Sequence, residues 1–213
     1  MKTVTEFPQR RRTDTATPQN PILQSLETYW RALRHAQRIP SRNDIEPQQI
    51  DDALPHAFIL QRVAPGVARM RVAGQQLHDL LKMDARGMPI STFFVPEARD
   101  EVAGLVESAF ASPAIVAIQV VSPGSMLRQE VTGTMLLLPL RDAKGDTTRI
   151  LGALITDGPR GNRPRRFEIA KGVPVRHEPQ APQLASVPAI PRPETPKERN
   201  APRRALRLVV NNA

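Results

Sequence analysis

The hydrophobic positions of this chain follow two periods, and each period indicates one kind of element. Apolar residues recur at helical spacing after Asn20 and Pro21, a pair suited to the N-cap and the first position of a helix. The same spacing over residues 97–111 predicts a longer amphipathic helix. The pattern therefore predicts one helix before, and one within, the central part of the chain.

The densest pattern covers residues 69–94, where a strand, a glycine turn, a short helix and a second glycine turn follow one another. Leu77, Leu80 and Leu81 share one face of that short helix. A helix of this length is not stable alone in water, so we expect it to pack against the sheet. Small helices over one face of a sheet can enclose a cavity, which favours sensing over catalysis.

Five apolar runs, bounded by Gly, Pro and Asp, predict strands, and the second of them contains the strand at the start of residues 69–94. They cover residues 56–63, 67–73, 114–121, 129–140 and 147–156. The simplest assembly is an α+β fold: a five-stranded antiparallel sheet with helices packed on one face, preceded by the N-terminal helix.

Charge divides the chain into three parts. Residues 1–19 are polar and predicted to be disordered, residues 20–156 form the domain, and residues 157–213 are predicted to be a disordered basic tail rich in Pro and Arg. Residues 21–156 have no net charge, whereas residues 157–213 carry +7 of the total of +9. Any nucleic-acid binding is therefore expected from the tail and not from the domain.

The composition excludes several kinds of chemistry. There is no cysteine, so disulfides, thiolate metal sites, thiol-linked chromophores and flavin adducts on a thiol are all ruled out. The N-terminus lacks the apolar segment of a secretory signal, and no apolar run approaches the ~20 residues of a membrane-spanning helix. We expect a cytoplasmic protein without a membrane span.

Several short motifs follow one another through residues 26–156. They are Tyr29-Trp30-Arg31-x-Leu33-Arg34, Ile39-Pro40-x-Arg42-x-Asp44-Ile45-x-Pro47, Leu54-Pro55, Arg69-x-Arg71-Val72-Ala73-Gly74, Arg86-Gly87, Leu136-Leu137-Leu138-Pro139-Leu140 and Ile150-Leu151-Gly152-Ala153. Their order resembles the PAS fold, and more closely a bacterial family of small stand-alone PAS-like proteins without a fused output domain. The resemblance implies ligand sensing, cofactor binding or protein–protein contact in signalling. Haem-binding members use a histidine on the long helix, and residues 97–111 contain none, so haem is not favoured.

Twelve residues are predicted to line the interior between helices and sheet. They are Met70, Val72, Leu77, His78, Leu80, Leu81, Phe94, Val106, Phe110, Ile118, Met135 and Leu137. These residues either fill a core or line a pocket for a small apolar ligand whose identity the sequence does not give. His78 either points toward a ligand or lies partly exposed on its helix.

The first helix presents Tyr29 and Trp30 side by side, about 100° apart around the helix axis. Either both rings cover the edge of the core, or one of them belongs to a homodimer interface. Arg31, Arg34 and the linker residues Arg42 and Asp44 either form a charge network or remain solvated.

No catalytic motif is present: the four histidines are scattered, and the chain lacks a phosphate-binding glycine loop and a nucleophile elbow. We expect a non-enzymatic sensory or protein-interaction module that signals to a separate protein. The alternative is a dimeric scaffold whose basic tail, with Arg163, Arg165 and Arg166, binds nucleic acid or an acidic partner.

Overall fold

The computed structural model describes residues 20–34, 38–126, 128–159, 161–173 and 175–180. The helices are α1 (Pro21–Ala32), α2 (Gln75–Leu81) and α3 (Arg99–Ala111), with short 3-10 helices at Arg42–Asp44, Pro47–Ala53, Ile90–Phe93 and Pro96–Ala98. The strands are β1 (Ala57–Ala64), β2 (Val67–Ala73), β3 (Ala114–Ser122), β4 (Val131–Leu140), β5 (Arg149–Asp157), β6 (Glu168–Ile169) and β7 (Arg176–Pro179).

The start of helix α1 has the cause that the sequence indicates. Asn20 caps α1, since its side-chain oxygen accepts from the backbone N–H of Ile22 at 2.9 Å, and Pro21 fills the first position, where no N–H is needed. The short helix α2 ends at Lys82, which has a left-handed backbone with φ of 57°.

The sheet confirms the predicted five antiparallel strands. Their order is β2-β1-β5-β4-β3, and every pairing within it is antiparallel. The preceding helix is also confirmed, at Pro21–Ala32. Strand β3 lies at one end of this order and carries the short strands β6 and β7 along its outer edge.

Both faces of the sheet are covered, and each has its own core. Helices α2 and α3 contribute to a large cluster on one face, the inner face, together with Val116, Ile118 and Val120 of β3. Helix α1 contributes to the cluster on the opposite, outer face, with Ile115 and Ala117 of the same strand. Strand β3 thus contacts both cores, because successive side chains of a strand point to opposite faces.

A bulge in β2 moves Val72 away from the inner core, where the sequence pattern places it. Ile59 pairs with Val72 and Leu60 pairs with Met70, so Arg71 is an extra residue that inverts the alternation. Met70 is fully buried in the inner core, whereas Val72 lies on the outer face beside Ile59 and is 49% exposed. The prediction that Val72 lines the interior is wrong for this reason.

The disorder predicted from residue 157 does not hold for the described residues up to 180. Backbone hydrogen bonds join Phe167 to Phe93, Ala170 to Gln119 and Gln180 to Pro113, besides the β6 and β7 ladders on β3. These ladders satisfy an edge that β3 would otherwise expose to water. The predicted disorder of residues 1–19 and 181–213 lies outside the described residues.

Candidate functional site

Ten of the twelve predicted interior residues form one continuous apolar cluster, and none of the ten is more than 4% exposed. They are Met70, Leu77, Leu80, Leu81, Phe94, Val106, Phe110, Ile118, Met135 and Leu137. The sequence brings them together correctly, because helical and strand periodicity both point them inward. Phe58, Phe93 and Phe167 complete the cluster with fully buried rings, and the last of these comes from the segment expected to be disordered.

His78 is held by the backbone around it. Its Nδ1 accepts from the N–H of Ala85 at 3.0 Å, and its Nε2 lies 3.1 Å from the carbonyl oxygen of Ala73. These contacts fit the neutral tautomer that carries its proton on Nε2. Both ring nitrogens are therefore used to join α2 to the segments before and after it, and His78 has the geometry of a structural histidine.

Residues 161–173, called the strap from here on, cross the inner core beside α2 and the 3-10 helix Ile90–Phe93. The N–H of Arg165 donates to the carbonyl of Leu80 at 2.8 Å, and the N–H of Phe167 donates to the carbonyl of Phe93 at 2.8 Å. Phe167 in turn accepts from the N–H of Val95 at 3.0 Å. The strap thereby inserts one aromatic ring into the core.

Arg165, predicted to be part of a solvated basic run, is only 1% exposed. Its guanidinium donates to the carbonyl oxygens of Gln129 at 2.8 Å and Pro159 at 2.7 Å. Burial, and then the neighbouring charge of Arg128, lower the pKa of Arg165. A cation is thus kept inside the protein largely by carbonyl dipoles.

A crevice of about 660 Å³ lies between the strap and the start of α3. Val95, Ala98 and Ile169 give it apolar walls, and its charged residues are Glu97, Glu101, Glu168 and Lys171. Carboxylates therefore outnumber cations at this opening. A smaller groove of about 190 Å³ lies on the outer face beside Leu54 and Val72.

Tyr29 and Trp30 both make contacts within the domain, and Trp30 is too deeply buried to belong to a dimer interface. Trp30 is fully buried in the outer core, and its indole N–H donates to the carbonyl of Pro139 at 2.9 Å. The Tyr29 hydroxyl accepts from the N–H of Glu46 at 2.8 Å and donates to the carbonyl of Asp44 at 3.3 Å. Trp30 thus belongs to the outer core, whereas Tyr29 is only partly buried against it, so its predicted place in a homodimer interface stays a prediction.

Four charged side chains join α1 to β7; we call Glu27, Arg31, Arg176 and Glu178 the clasp. Arg176 donates both terminal nitrogens to the Glu27 carboxylate, at 2.6 and 2.7 Å. Arg31 bonds Glu27 at 2.8 Å and Glu178 at 2.7 Å, and Arg176 also contacts Glu178. The charges alternate and cancel, and the carboxylates accept from both guanidinium groups, but the buried Nε of Arg176 has no acceptor among the described residues.

The centre of the clasp is buried. The side chains of Glu27 and Arg176 are 7% and 5% exposed. Burial alone would raise the pKa of Glu27, but hydrogen bonds from Arg176 and Arg31 outweigh it, and the pKa is lowered. Burial is likewise outweighed at Glu178, where hydrogen bonds from Arg31 and Arg176 lower the pKa to about 2.

The sequence reading found part of this network. The sequence leaves open whether Arg31 and Arg34 join a charge network or remain solvated, and in the structure they contact Glu178 and Gln180 of the C-terminal extension. The carboxylate of Asp44 accepts from the N–H of Ser41 in a local capping box. Only the alternation of Arg176 and Glu178 in a short run hinted at strand β7.

Comparison with known proteins decides the family. A family model described as PAS domain matches residues 19–155, which is well over half of the chain. The chain belongs to the PAS domain family. No curated protein matches the sequence.

Solved structures similar to this PAS domain include photoreceptor domains. The dark structure of the blue-light photoreceptor Aureochrome1 LOV has 14% identity and a TM-score of 0.37, over 51% of this chain and 80% of that one. An RNA-binding light-oxygen-voltage receptor has 16% identity and a TM-score of 0.34, over 71% of this chain and 36% of that one. At this level of similarity neither says what the present PAS domain binds.

The match ends at residue 155, so the strap and strand β7 lie beyond the part that resembles the family. Among the described residues, no helix is long and apolar enough to cross a membrane, and no group of His, Asp and Glu side chains is placed to hold a metal ion. The candidate functional features of this PAS domain are therefore its interior with the strap, and the clasp.

Proposed function

We propose that the protein is a non-enzymatic sensory and protein-interaction module of bacterial signalling. Its interior takes a small apolar ligand, and a separate protein reads the resulting state. Membership of the PAS family and the large apolar cluster of the inner core support this function.

The observation that carries the proposal is the position of β3. One face of this strand contributes Val116, Ile118 and Val120 to the inner core, and its outer edge pairs with β7. The clasp then links β7 to α1. A change in the interior has a continuous path of packed and hydrogen-bonded groups to both ends of the domain, where a partner can detect it.

The proposal includes a homodimer as the working form. Its interface lies elsewhere than at the buried Trp30. Exposed apolar side chains such as Leu54 and Val72 beside the outer groove are better suited to an interface.

The basic-tail alternative is less well supported. Arg165 and Arg176 are buried, at 1% and 8% exposed, and both already have acceptors within the domain. If nucleic acid were the partner, binding would weaken steeply with added salt and would be lost on removal of residues 181–213.

Native mass spectrometry of the freshly purified full chain tests the proposal, because it reports the oligomer and any bound small molecule together. The expected spectrum shows a dimer carrying a small molecule that is released on denaturation. A monomer at its bare sequence mass, across preparations from several growth conditions, would contradict a ligand-bound dimeric sensor.

A further inference from the structure

Phe167 belongs to the inner core, yet it comes from outside the family-matched part of the chain. It is fully buried among Leu80, Phe93 and Phe94, and its backbone forms a bridge to Phe94. The segment matched to the family ends at residue 155. The strap therefore supplies a ring to the inner core from outside the family-matched part of the chain.

The strap lies between glycines with left-handed backbones. Gly161 and Gly172 have φ of 65° and 76°, and Gly158 just before the strap has φ of 111°. Glycine adopts these conformations without steric cost and has the widest choice of others. Rotations at these glycines would let the strap leave the core while β5 and β7 stay paired, with loss of the β6 ladder on β3.

The strap is also incompletely packed. The crevice of about 660 Å³ runs along it, lined by Val95, Glu168 and Ile169, which bond to or flank Phe167. Phe167 itself does not line the crevice, so water and small molecules there reach the strap next to the buried ring and not the ring itself. Release also returns the Arg165 guanidinium to water, which offsets part of the cost of exposing the ring.

We propose that Phe167 occupies a ligand site of this PAS domain in cis, and that a small single-ring apolar molecule entering through the crevice displaces it and frees the strap. This proposal rests on the proposed sensory function. It assigns single-ring apolar molecules as the ligand class and the strap as the segment that moves. The vacated position is lined by apolar groups, so it suits an uncharged ring and not water. Glu97, Glu101 and Glu168 at the opening disfavour a ligand that carries a carboxylate.

Toluene is the matched probe, since it reproduces the Phe167 side chain capped with hydrogen. In the full chain, Phe167→Ala is expected to bind toluene at least ~10-fold more tightly than the wild type, and to gain thermal stability when toluene is added. Val63→Ala is the control, because it shortens a β1 side chain that is likewise 45% exposed and does not line the crevice. Equal toluene affinity in the two variants would overturn the proposal.

Phe167→Leu covers the case in which the alanine variant fails to fold. It leaves a smaller space, and a smaller gain in toluene affinity in the same direction is expected. Benzoate is expected to bind Phe167→Ala at least ~10-fold more weakly than toluene, and equal binding would overturn the role assigned to the carboxylates.

Trypsin reports displacement of the strap in the wild type. Cleavage after Arg165 is slow while that residue is buried, and its rate is expected to rise with toluene concentration, with the same midpoint as binding. Binding without faster cleavage would overturn displacement. Toluene is added by the experimenter, so this result does not depend on the bound molecule sought by native mass spectrometry. If toluene fails to displace the strap, the proposed sensory function still stands. If native mass spectrometry finds no bound molecule, the strap test can still be made.

Discussion

The Phe58 ring lies over Gly152, its direct neighbour across the β1–β5 ladder. A Cβ at residue 152 would come within 2.3 Å of two ring carbons of Phe58 and 2.9 Å of the carbonyl oxygen of Leu136. The absence of a side chain here is what lets the ring lie flat on the sheet and fill the inner core.

Gly152→Ala is therefore expected to lower the free energy of unfolding by about 1–3 kcal/mol, since the buried ring and strand must shift. Urea unfolding of the purified variant measures this. Gly104→Ala is the matched control, because a Cβ at that site in α3 meets nothing within 4 Å, and alanine should stabilise the helix by roughly 0.5–1 kcal/mol. Similar losses in the two variants would contradict the packing argument.

For single residues, the sequence predicts burial correctly where helical or strand periodicity determines it, and wrongly where the pairing of two strands determines it. Met70 and Leu137 lie in the core as their strand patterns predict, whereas Val72 does not, because the bulge depends on how β2 pairs with β1. The two backbone contacts of His78 are equally invisible in the sequence, since they depend on how the chain turns at residues 82–85.

At the scale of elements, the C-terminal extension is the main difference between the sequence-based prediction and the structure. Strands β6 and β7 have two and four residues and lie in a segment rich in Pro and Arg, so no period marks them. The apolar pair Phe167 and Ile169 was the available signal, and it now proves to lie against the core cluster. Their order comes from the edge of β3, a partner that local composition does not show.

The clasp is expected to behave as a coupled unit between α1 and β7. Arg176→Met leaves Glu27 buried with Arg31 as its remaining partner, and should cost about 3 kcal/mol of unfolding free energy. Glu27→Met should have a comparable cost, but the double variant should cost clearly less than the sum, because no buried charge is left without its partner.

Urea unfolding of the four proteins gives the coupling energy. Arg86→Met, which breaks the exposed pair with Asp84, serves as the control and should leave the stability unchanged within error. Additive losses at Glu27 and Arg176 would mean that the two side chains do not interact as the structure has them.

At the scale of the whole molecule, the N-terminal helix and the C-terminal extension meet on the same strand edge. Helix α1 packs on the outer core, β7 pairs with β3, and the clasp joins the two. The fold class and element order were predictable, because helices and strands differ in period. The contact between α1 and β7 was not predictable, because the sequence does not show which charged residues far apart in the chain form ion pairs.

Acid is expected to weaken the clasp between α1 and β7. The pKa of Glu178 is about 2 in the folded protein against an ordinary value of 4.5, so its stabilising effect is complete above pH 4.5 and is lost as the pH falls toward 2. Glu27, whose pKa is also lowered, acts in the same direction.

Urea midpoints measured at several pH values from 6 down to about 2.5 should fall with pH, and Glu178→Gln should show a shallower dependence over that range. A variant with the same pH profile as the wild type would exclude Glu178 as a source of acid sensitivity.

High salt should weaken the outer contact between Arg31 and Glu178 more than the buried contact between Arg176 and Glu27.

The contact between Glu27 and Arg176 joins residues 149 positions apart in a chain that contains no cysteine. Small extracellular proteins often close such long loops with a covalent bridge, whose state follows the redox potential of its surroundings. Here the loop between Glu27 and Arg176 is closed by an ion pair that depends on the ionisation of Glu27. Its opening should be indifferent to reductants and oxidants, and should follow acidity and ionic strength instead.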